Sequence, residues 1–508
     1  MATPGTDPLF QEILLARRFV YRLAQPTPLQ ALSIPGLRGE VWCKREDLSP
    51  IHAYKWRGAF NRMAQLEPAE QRRGVVTASA GNHAQGVALA ARRLGMRAEI
   101  FMPRSTPLMK QQAVAKHGGD AVTVHLTGDT YDQAHAAART AGETRGALFI
   151  PAFDDLKVMG GQGTLADEIV MSGEGPFARA YLQIGGGGMA GAVACWLKAY
   201  YPEIEVVGVE GEGQASMQAA RAAGCPVTLD QVDVFCDGTA VRRVGDLSFA
   251  ACQRYVDRLI TVSNDAVASA VQTLWETARC IPEPSGAMGL AGLLKEQQSL
   301  PEGRCLTVLC GANMDFPQLA GLARSAAIGA RRRRFYRLDL PERAGALLAV
   351  VDRLPEQANI VDFQYGKTDS TKAWPVIGVE GDEAALTAVE RVLREATAGW
   401  QDVTREETIL YRLIHYRSEL MDHPILLHVD FHERPGALVG FLRHLVGSAN
   451  LCYFNYSYSG ERVGRALVGF ELGPDLTREA FLAQVREAGA SFRDARPVDP
   501  AMARRFFA

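Results

Sequence analysis

From Gly74 to about Asp315 the chain alternates short apolar runs, rich in β-branched residues, with amphipathic stretches of helical period. "RGVVTASA" leads into "NHAQGVALAARRLG", "AEIFMP" into "PLMKQQAVAKHGG", "DAVTVHL" into "TYDQAHAAARTAG", and "RAYLQIGGGG" into "MAGAVACWLKAYY". Strands alternating with helices predict an α/β fold with parallel sheets covered on both faces. Ligands of such sheets sit beyond the carboxyl ends of the strands. "TASAGNH", "QIGGGGM" and "LCGANMD" all follow strand-like runs, so all three are expected to face one site.

At 508 residues the chain is too long for one core, and its length suggests roughly three domains. The character changes near residue 330, where "ARRRRF" reads as a solvated face or a domain junction. Beyond it a unit repeats. "LDLPERAGALLAVVDRL" starts at Leu338 and "VDFHERPGALVGFLRHL" at Val429, an offset of 91 residues (429 − 338). At the same offset "IVDFQY" aligns with "LCYFNY". Two units of about 85–90 residues, each strand–turn–helix–strand, therefore close the chain, with Gly345 and Gly436 at equivalent turns.

Composition removes several classes of function. With 55 basic and 57 acidic residues, nothing points to a nucleic-acid or acidic-lipid partner. No apolar stretch approaches the roughly 18–20 residues of a membrane span, and "MATPGTDPLF" lacks the layout of a signal peptide. Nine scattered cysteines without a CxxC read as free thiols of a reducing cytoplasm, and no HExxH is present.

Four segments carry candidate chemistry. In "HAYKWRGA", Lys55 is either a surface lysine packed on a ring or a Schiff-base lysine. In "TASAGNHAQGVA", Asn82 is either a helix N-cap or a hydrogen-bond partner for a ring hydroxyl, and the N–H groups of that turn suit a carboxylate. "QIGGGGMAGAV" reads as GxGxxG through Gly186, Gly188 and Gly191, with Glu210 placed as a ribose-binding acid. It reads equally as a cup for one phosphate at a helix N-terminus. No Lys or Ser/Thr follows in Walker-A fashion. Cys310, ending the last strand-like run, is either a small buried hydrophobe or a thiol facing an aromatic nitrogen.

Together "KREDLSPIHAYKWRGA", "SAGNHAQGVA", "GGGGMAGA" and "CGANMDF" resemble the pyridoxal-phosphate motifs of the fold-type-II β-elimination enzymes. The two repeats resemble the paired ACT-like modules of the biosynthetic threonine dehydratase (threonine ammonia-lyase) family, and the likeness runs over residues 10–508. It implies a two-domain catalytic region at 1–328, with a small subdomain at about 47–157. Two α+β regulatory subdomains follow at 335–420 and 424–508. Lys55 then holds pyridoxal phosphate as an imine, Gly185, Gly186, Gly187, Gly188 and Met189 bind its phosphate, and Asn82 faces its ring hydroxyl. Ser79, Ala80, Gly81, Asn82 and His83 hold the substrate carboxylate. Cys310 departs from the serine usual in bacterial threonine enzymes. A thiol is a weak donor, so the ring nitrogen is expected to stay neutral. Racemising relatives carry Ser where this chain has Ala80, so elimination without racemisation is expected.

The resemblance further implies L-threonine as substrate with L-serine as the alternative, isoleucine as feedback inhibitor and valine as its antagonist, and a cytoplasmic homotetramer. Tyr365 and Tyr456, at equivalent places in the repeats, are the candidate effector residues. Some relatives bind a cation at the position of Glu210. The acid six residues on is Ser216 here, which leaves a potassium site or a plain strand-end glutamate. Two rival readings are another pyridoxal-phosphate β-elimination or β-replacement enzyme, and an inactive relative that senses amino acids through its tail.

Overall fold

The computed structural model describes residues 6–422, 424–432, 436–445, 449–458, 463–487 and 494–506. The chain divides into two compact units, Met1–Gly329 and Ala330–Ala508.

The first unit holds two sheets. Strands β1 (Leu29–Leu32), β2 (Glu40–Arg45), β3 (Val75–Ala78), β4 (Ala98–Met102), β5 (Val122–Leu126), β6 (Leu148–Phe149), β7 (Arg179–Gln183), β8 (Glu205–Gly211), β9 (Arg258–Val262) and β10 (Arg304–Leu309) follow in chain order. The larger sheet runs β1-β2-β10-β7-β8-β9 and the smaller β5-β4-β3-β6. Every pair is parallel except β1 with β2. Each sheet therefore has a place where the chain order reverses: between β10 and β7 in the larger, between β3 and β6 in the smaller. Such reversal points open crevices at the strand ends. The strand-like "ALFIPAF" contributes only the two residues of β6.

The helices are built as the pattern predicts. Asn82–Leu94 buries Ala84, Val87, Ala88 and Ala91 along one stripe and stops at Gly95, a left-handed C-cap at φ +67°. Gly188–Tyr200 is buried on all sides through Leu197, which fits its almost uninterrupted apolar sequence. The N-terminal helix Pro8–Leu23 starts where Asp7 Oδ1 accepts from Leu9 N at 2.8 Å. The first five residues of "MATPGTDPLF" lie outside the described residues.

A cluster of buried charges ties these pieces together. The Arg57 guanidinium, fully buried, donates to Glu46 at 2.8 and 2.9 Å and to Glu168 at 2.5 and 2.8 Å. Lys44 Nζ, also buried, donates to Glu168 at 2.5 Å and to the Thr27 carbonyl. Burial works against the charges of Lys44, Glu46 and Arg57. The Arg57 charge nevertheless holds the Glu46 carboxyl below its usual range.

The second unit is one antiparallel sheet. Its strands are β11 (Arg333–Pro341), β12 (Asn359–Gly366), β13 (Lys372–Ala373), β14 (Val376–Glu380), β15 (Gly399–Asp402), β16 (Ile425–His432), β17 (Ala449–Ser457), β18 (Val463–Leu472) and β19 (Asp494–Pro497). The order is β13-β11-β14-β12-β17-β18-β16-β19, with β15 beside β11. The repeats meet where β12 pairs β17, Tyr365 opposite Phe454 and Phe363 opposite Tyr456. The arginine run does mark a domain junction, since the second unit begins at Ala330, but it is not all solvated: β11 begins inside it, with Arg333 paired to Glu380 at 2.8 Å and Arg334 to Glu383 and Glu390 at 2.6 Å. Gly345 and Gly436 both take positive φ, +85° and +78°. Residues 433–435 of the second repeat's turn lie outside the described residues.

Removing Arg57 takes from buried Glu46 its hydrogen-bonded cation and leaves Glu168 with the Lys44 cation. Arg57→Met is expected to lower the unfolding free energy of the first unit by about 3–5 kcal/mol, read from urea denaturation.

Candidate active site

The two reversal points hold the segments picked out in the sequence. The glycine loop leaves the carboxyl end of β7 and Cys310 ends the neighbouring β10. In the smaller sheet the turn Ser79–His83 leaves β3, and Ala152 follows the neighbouring β6.

Lys55 stands immediately before the helix Trp56–Ala64. Its loop is laced to the end of β10. Ala53 bridges Gly311, Tyr54 N donates to Cys310 O at 3.1 Å, and Ala312 N donates to His52 O at 2.9 Å. His52 takes φ +54° to make that turn, with its ring Nδ1 2.9 Å from Asp47 O. Lys55 Nζ is half-buried, donates to Ala152 O at 2.9 Å and lies 5.3 Å from the centre of the Tyr54 ring. Burial lowers its pKa to about 8, with Cys310 and Glu283 opposing.

The turn after β3 is shaped by Ser79, whose hydroxyl accepts from Gly81 N at 3.2 Å and Ala84 N at 3.3 Å. Asn82 is not the helix N-cap. Gly81 holds that place and Asn82 is the first helical residue, so its side chain is free to point elsewhere. Asn82 Nδ2 donates to Glu283 Oε1 at 2.7 Å, and its Oδ1 accepts from Asn313 Nδ2 at 2.8 Å. Glu283 Oε2 accepts from Asn313 N at 3.1 Å. Burial, then Asp237, pushes the Glu283 carboxyl up to about 7. His83 is buried, and its Nε2 lies 3.0 Å from Ile150 O. Burial and Lys55 drive its pKa to about 3, so the ring is neutral and Nε2 carries the proton donated to Ile150 O. Its Nδ1 has no partner among the described residues.

In the glycine loop Gly187 sits at φ +93° and caps the helix Gly188–Tyr200. A side chain at Gly186 would enter the Phe153 ring, its Cβ 2.3 Å from Cγ. At Gly185 it would meet the Thr239 backbone at 2.9 Å. Among the described residues no protein acceptor faces the backbone N–H groups from Gly185 to Met189. The result is a cup of N–H donors at a helix N-terminus, the chemistry a phosphate monoester requires. That cup, the depressed Lys55 amine and the Asn82 amide fit pyridoxal phosphate. Cys310 is buried, which raises its thiol to about 12, and Sγ lies 3.7 Å from Ser285 O.

Glu210 has a structural task. Its two carboxylate oxygens each accept at 2.8 Å, from Met217 N and Gln218 N, at the start of the helix Ser216–Ala223. Burial raises its pKa to about 7. Among the described residues no group of three or more His, Cys, Asp or Glu is placed to hold a metal ion.

In the second unit Tyr365 donates to Glu342, and Asn450 Nδ2 donates to the other Glu342 oxygen at 2.8 Å. Both line a pocket with Leu340, Leu348, Leu442 and Phe470. Tyr456 is buried beside Phe431, ring centres 6.0 Å apart. The sequence reading missed Glu283, Asn313, Ala152 and Gln183. The one local signal was an acid before a proline at a helix start, since Glu283 precedes Pro284 of the helix Pro284–Lys295.

Comparison with known proteins agrees with this architecture. A family model described as pyridoxal-phosphate dependent enzyme matches residues 20–311. The C-terminal regulatory domain of threonine dehydratase matches residues 417–503. Biosynthetic L-threonine dehydratase of Burkholderia multivorans is 38% identical over 471 residues, 91% of this chain and 92% of that protein. That of Escherichia coli is 36% identical, covering 89% of each. The structure of processed threonine deaminase isoform 2 from Solanum lycopersicum superposes with a TM-score of 0.60 at 38% identity, over 64% of this chain and 89% of that one. Maize serine racemase gives 0.57 at 28% identity, over 63% and 98%. Fold and site thus define a pyridoxal-phosphate dependent enzyme of fold type II. Within that class, the chain belongs to the biosynthetic threonine dehydratase family.

Two buried carboxyls that titrate near pH 7 bind more protons folded than unfolded, where a glutamate titrates near ~4.3. Their contribution to stability is complete below the unfolded pKa and is lost as pH rises through about 7. Glu283→Gln is expected to flatten the fall in urea midpoint between pH 5 and pH 8 (roughly the window the two pKa values span).

Proposed function

We propose that this chain is a feedback-regulated biosynthetic L-threonine dehydratase. It eliminates water from L-threonine, and hydrolysis of the released 2-iminobutanoate takes one water back and gives 2-oxobutanoate and ammonia, the first step of isoleucine biosynthesis. The observation that carries this reading is the half-buried amine of Lys55 set in one site with an anion cup made of backbone N–H groups alone. The likeness to biosynthetic threonine dehydratases along 91% of the chain supports it.

Pyridoxal phosphate bound at Lys55 supplies an electron-withdrawing ring that acidifies the substrate Cα–H. Gly185, Gly186, Gly187, Gly188 and Met189 hold its phosphate with their N–H groups. Asn82, fixed by Glu283 and Asn313, orients the ring hydroxyl. The turn from Ser79 to His83 presents N–H groups to the substrate carboxylate at a second helix N-terminus. Lys55 Nζ moves the Cα proton as general base, and a pKa lowered to about 8 leaves part of the amine neutral at physiological pH. Cys310 keeps its proton, since its thiol titrates only near 12, and puts no charge beside the ring nitrogen. Ala80 has no proton to give, so the site eliminates without inverting Cα.

The second unit is the regulatory module, with isoleucine as inhibitor and valine as antagonist. The pocket beside Tyr365 supports this: Leu340, Leu442 and Phe470 suit a branched apolar side chain, and Glu342 suits an ammonium group. No helix among the described residues is long and apolar enough to cross a membrane, and a cytoplasmic homotetramer is the assembly we propose.

Ammonia release from L-threonine is the direct test. Activity is expected to vanish in Lys55→Ala along with the bound cofactor's absorbance, while the circular dichroism of the fold persists. Undiminished turnover in that variant refutes the assignment. A higher kcat/KM for L-serine moves it to a serine-preferring dehydratase. Isoleucine is expected to shift the threonine response by about 5–150-fold, and Tyr365→Phe to weaken that shift; no isoleucine effect on the full chain removes the regulatory role.

A further inference from the structure

The two strands that carry the site are only half zipped together. β7 and β10 are neighbours, yet their pairing runs from Cys305 opposite Arg179 to Thr307 opposite Tyr181 and ends there. Beyond that point β10 stays paired to β2 as far as Leu309 opposite Arg45. β7 stays paired to β8 as far as Gln183 opposite Val209. The two strands therefore part at their carboxyl ends, just before the glycine loop and Cys310.

One side chain spans the gap. Gln183 is buried, immediately precedes the loop, and donates from Nε2 to the Val308 carbonyl at 2.9 Å. The same side chain acts on the Cys310 thiol and favours its thiolate. The helix Pro284–Lys295 closes over it. A Cβ at Gly289 would lie 2.6 Å from Thr307 Oγ1 and 2.9 Å from Gln183 Oε1. Gln183 Oε1 has no protein partner among the described residues, so the amide is held through its nitrogen.

We infer that Gln183 is a positioning residue: its amide stands in for the missing ladder bond between β7 and β10. It thereby sets the spacing between the phosphate cup and the Cys310 thiol. The inference rests on the proposed roles of those two loops. A rigid ligand gripped at both ends reports such spacing, and a displacement of about 1 Å is enough to cost a reaction up to ~100-fold.

The test compares the wild type, Gln183→Met and Gln183→Glu, each loaded with pyridoxal phosphate. Absence of a bound-cofactor band in the wild type would overturn the site itself, separately from this inference. With the band present, Gln183→Met is expected to keep the phosphorus resonance of the cup, to shift the visible absorption maximum, and to lower kcat about tenfold with little change in KM. A protonated glutamate can donate to Val308 O and an ionised one cannot. Gln183→Glu should therefore follow the wild type at acid pH and Gln183→Met at alkaline pH. The parallel wild-type titration subtracts Glu283, Lys55 and Glu46, which act on Cys310, and the thiol itself. An unshifted spectrum and kcat in Gln183→Met, or a Gln183→Glu defect that ignores pH, overturns the inference. If Gln183→Met fails to fold, the pH response of Gln183→Glu decides alone.

Discussion

The catalytic unit depends on a guanidinium that never meets water. Arg57 lies two residues after Lys55 and is gripped by Glu46 and Glu168 at once. Taking such ions from water costs several kcal/mol each, and only complete pairing returns it. That demand fixes geometry. Glu46 follows β2, Glu168 belongs to the helix Leu156–Met171, and Arg57 begins the helix behind Lys55. A shift of any one leaves a buried charge unpaired, so the amine of Lys55 hangs from a point three elements over-determine. Lys44, gripping Glu168 and Thr27 O, adds a second cation to the same knot.

The same unit shows what happens to a buried carboxyl without a cation. Glu46 has Arg57 and stays well ionised. Among the described residues Glu210 and Glu283 have no cation within hydrogen-bond reach, only N–H donors and, at Glu283, the Ser285 hydroxyl, and rise to about 7. The contrast bears on the phosphate cup. Neutral N–H groups do not overcome burial for a carboxyl that must give up its water. A phosphate monoester at the proposed site would meet more of them, from Gly185 to Met189, with a whole helix dipole behind, and its charge spreads over three oxygens. The cup also stays neutral when empty, so it does not push the pKa of Lys55 further down. A lysine or arginine there would bind the anion and depress the amine together.

Much of this was legible in the sequence, because alternation and glycine act locally. β3, β4, β5 and β7 lie within the strand-like runs, and the three loops do follow strands of the two sheets. What stayed hidden depends on distance along the chain. Asn82 and Glu283 are 201 residues apart, and no local pattern couples them. Asn82 as an N-cap failed by one residue: Gly81 supplies the non-helical turn, and Ser79 from further back supplies the side-chain oxygen. The arginine run marked the domain junction correctly but misled as a solvated face, because composition reads charge as solvent, whereas Arg333 and Arg334 find acids across β14 and the helix Glu383–Ala396. Gln183 carried no signal, because its importance comes from where a ladder stops.

The repeats show how an inherited pattern becomes a new surface. Each contributes a strand, β12 or β17, that alone would be an edge needing protection. Pairing them buries both edges and makes one sheet of two halves, with Phe363 and Phe454 in contact at 4.6 Å across the seam. A pocket at that seam draws on both halves, Glu342 and Tyr365 from the first, Asn450 and Phe470 from the second. A ligand bound there acts on the pairing of the repeats rather than on either one. It shifts an equilibrium only by the difference in its affinity for two arrangements of that seam. The Tyr365–Glu342–Asn450 chain gives such a difference a physical form. Glu342, raised by burial, is held by Tyr365 of its own repeat and by Asn450 of the other, so it loses the Asn450 donor if the halves slide, and a molecule that replaces that donor would favour the arrangement it binds.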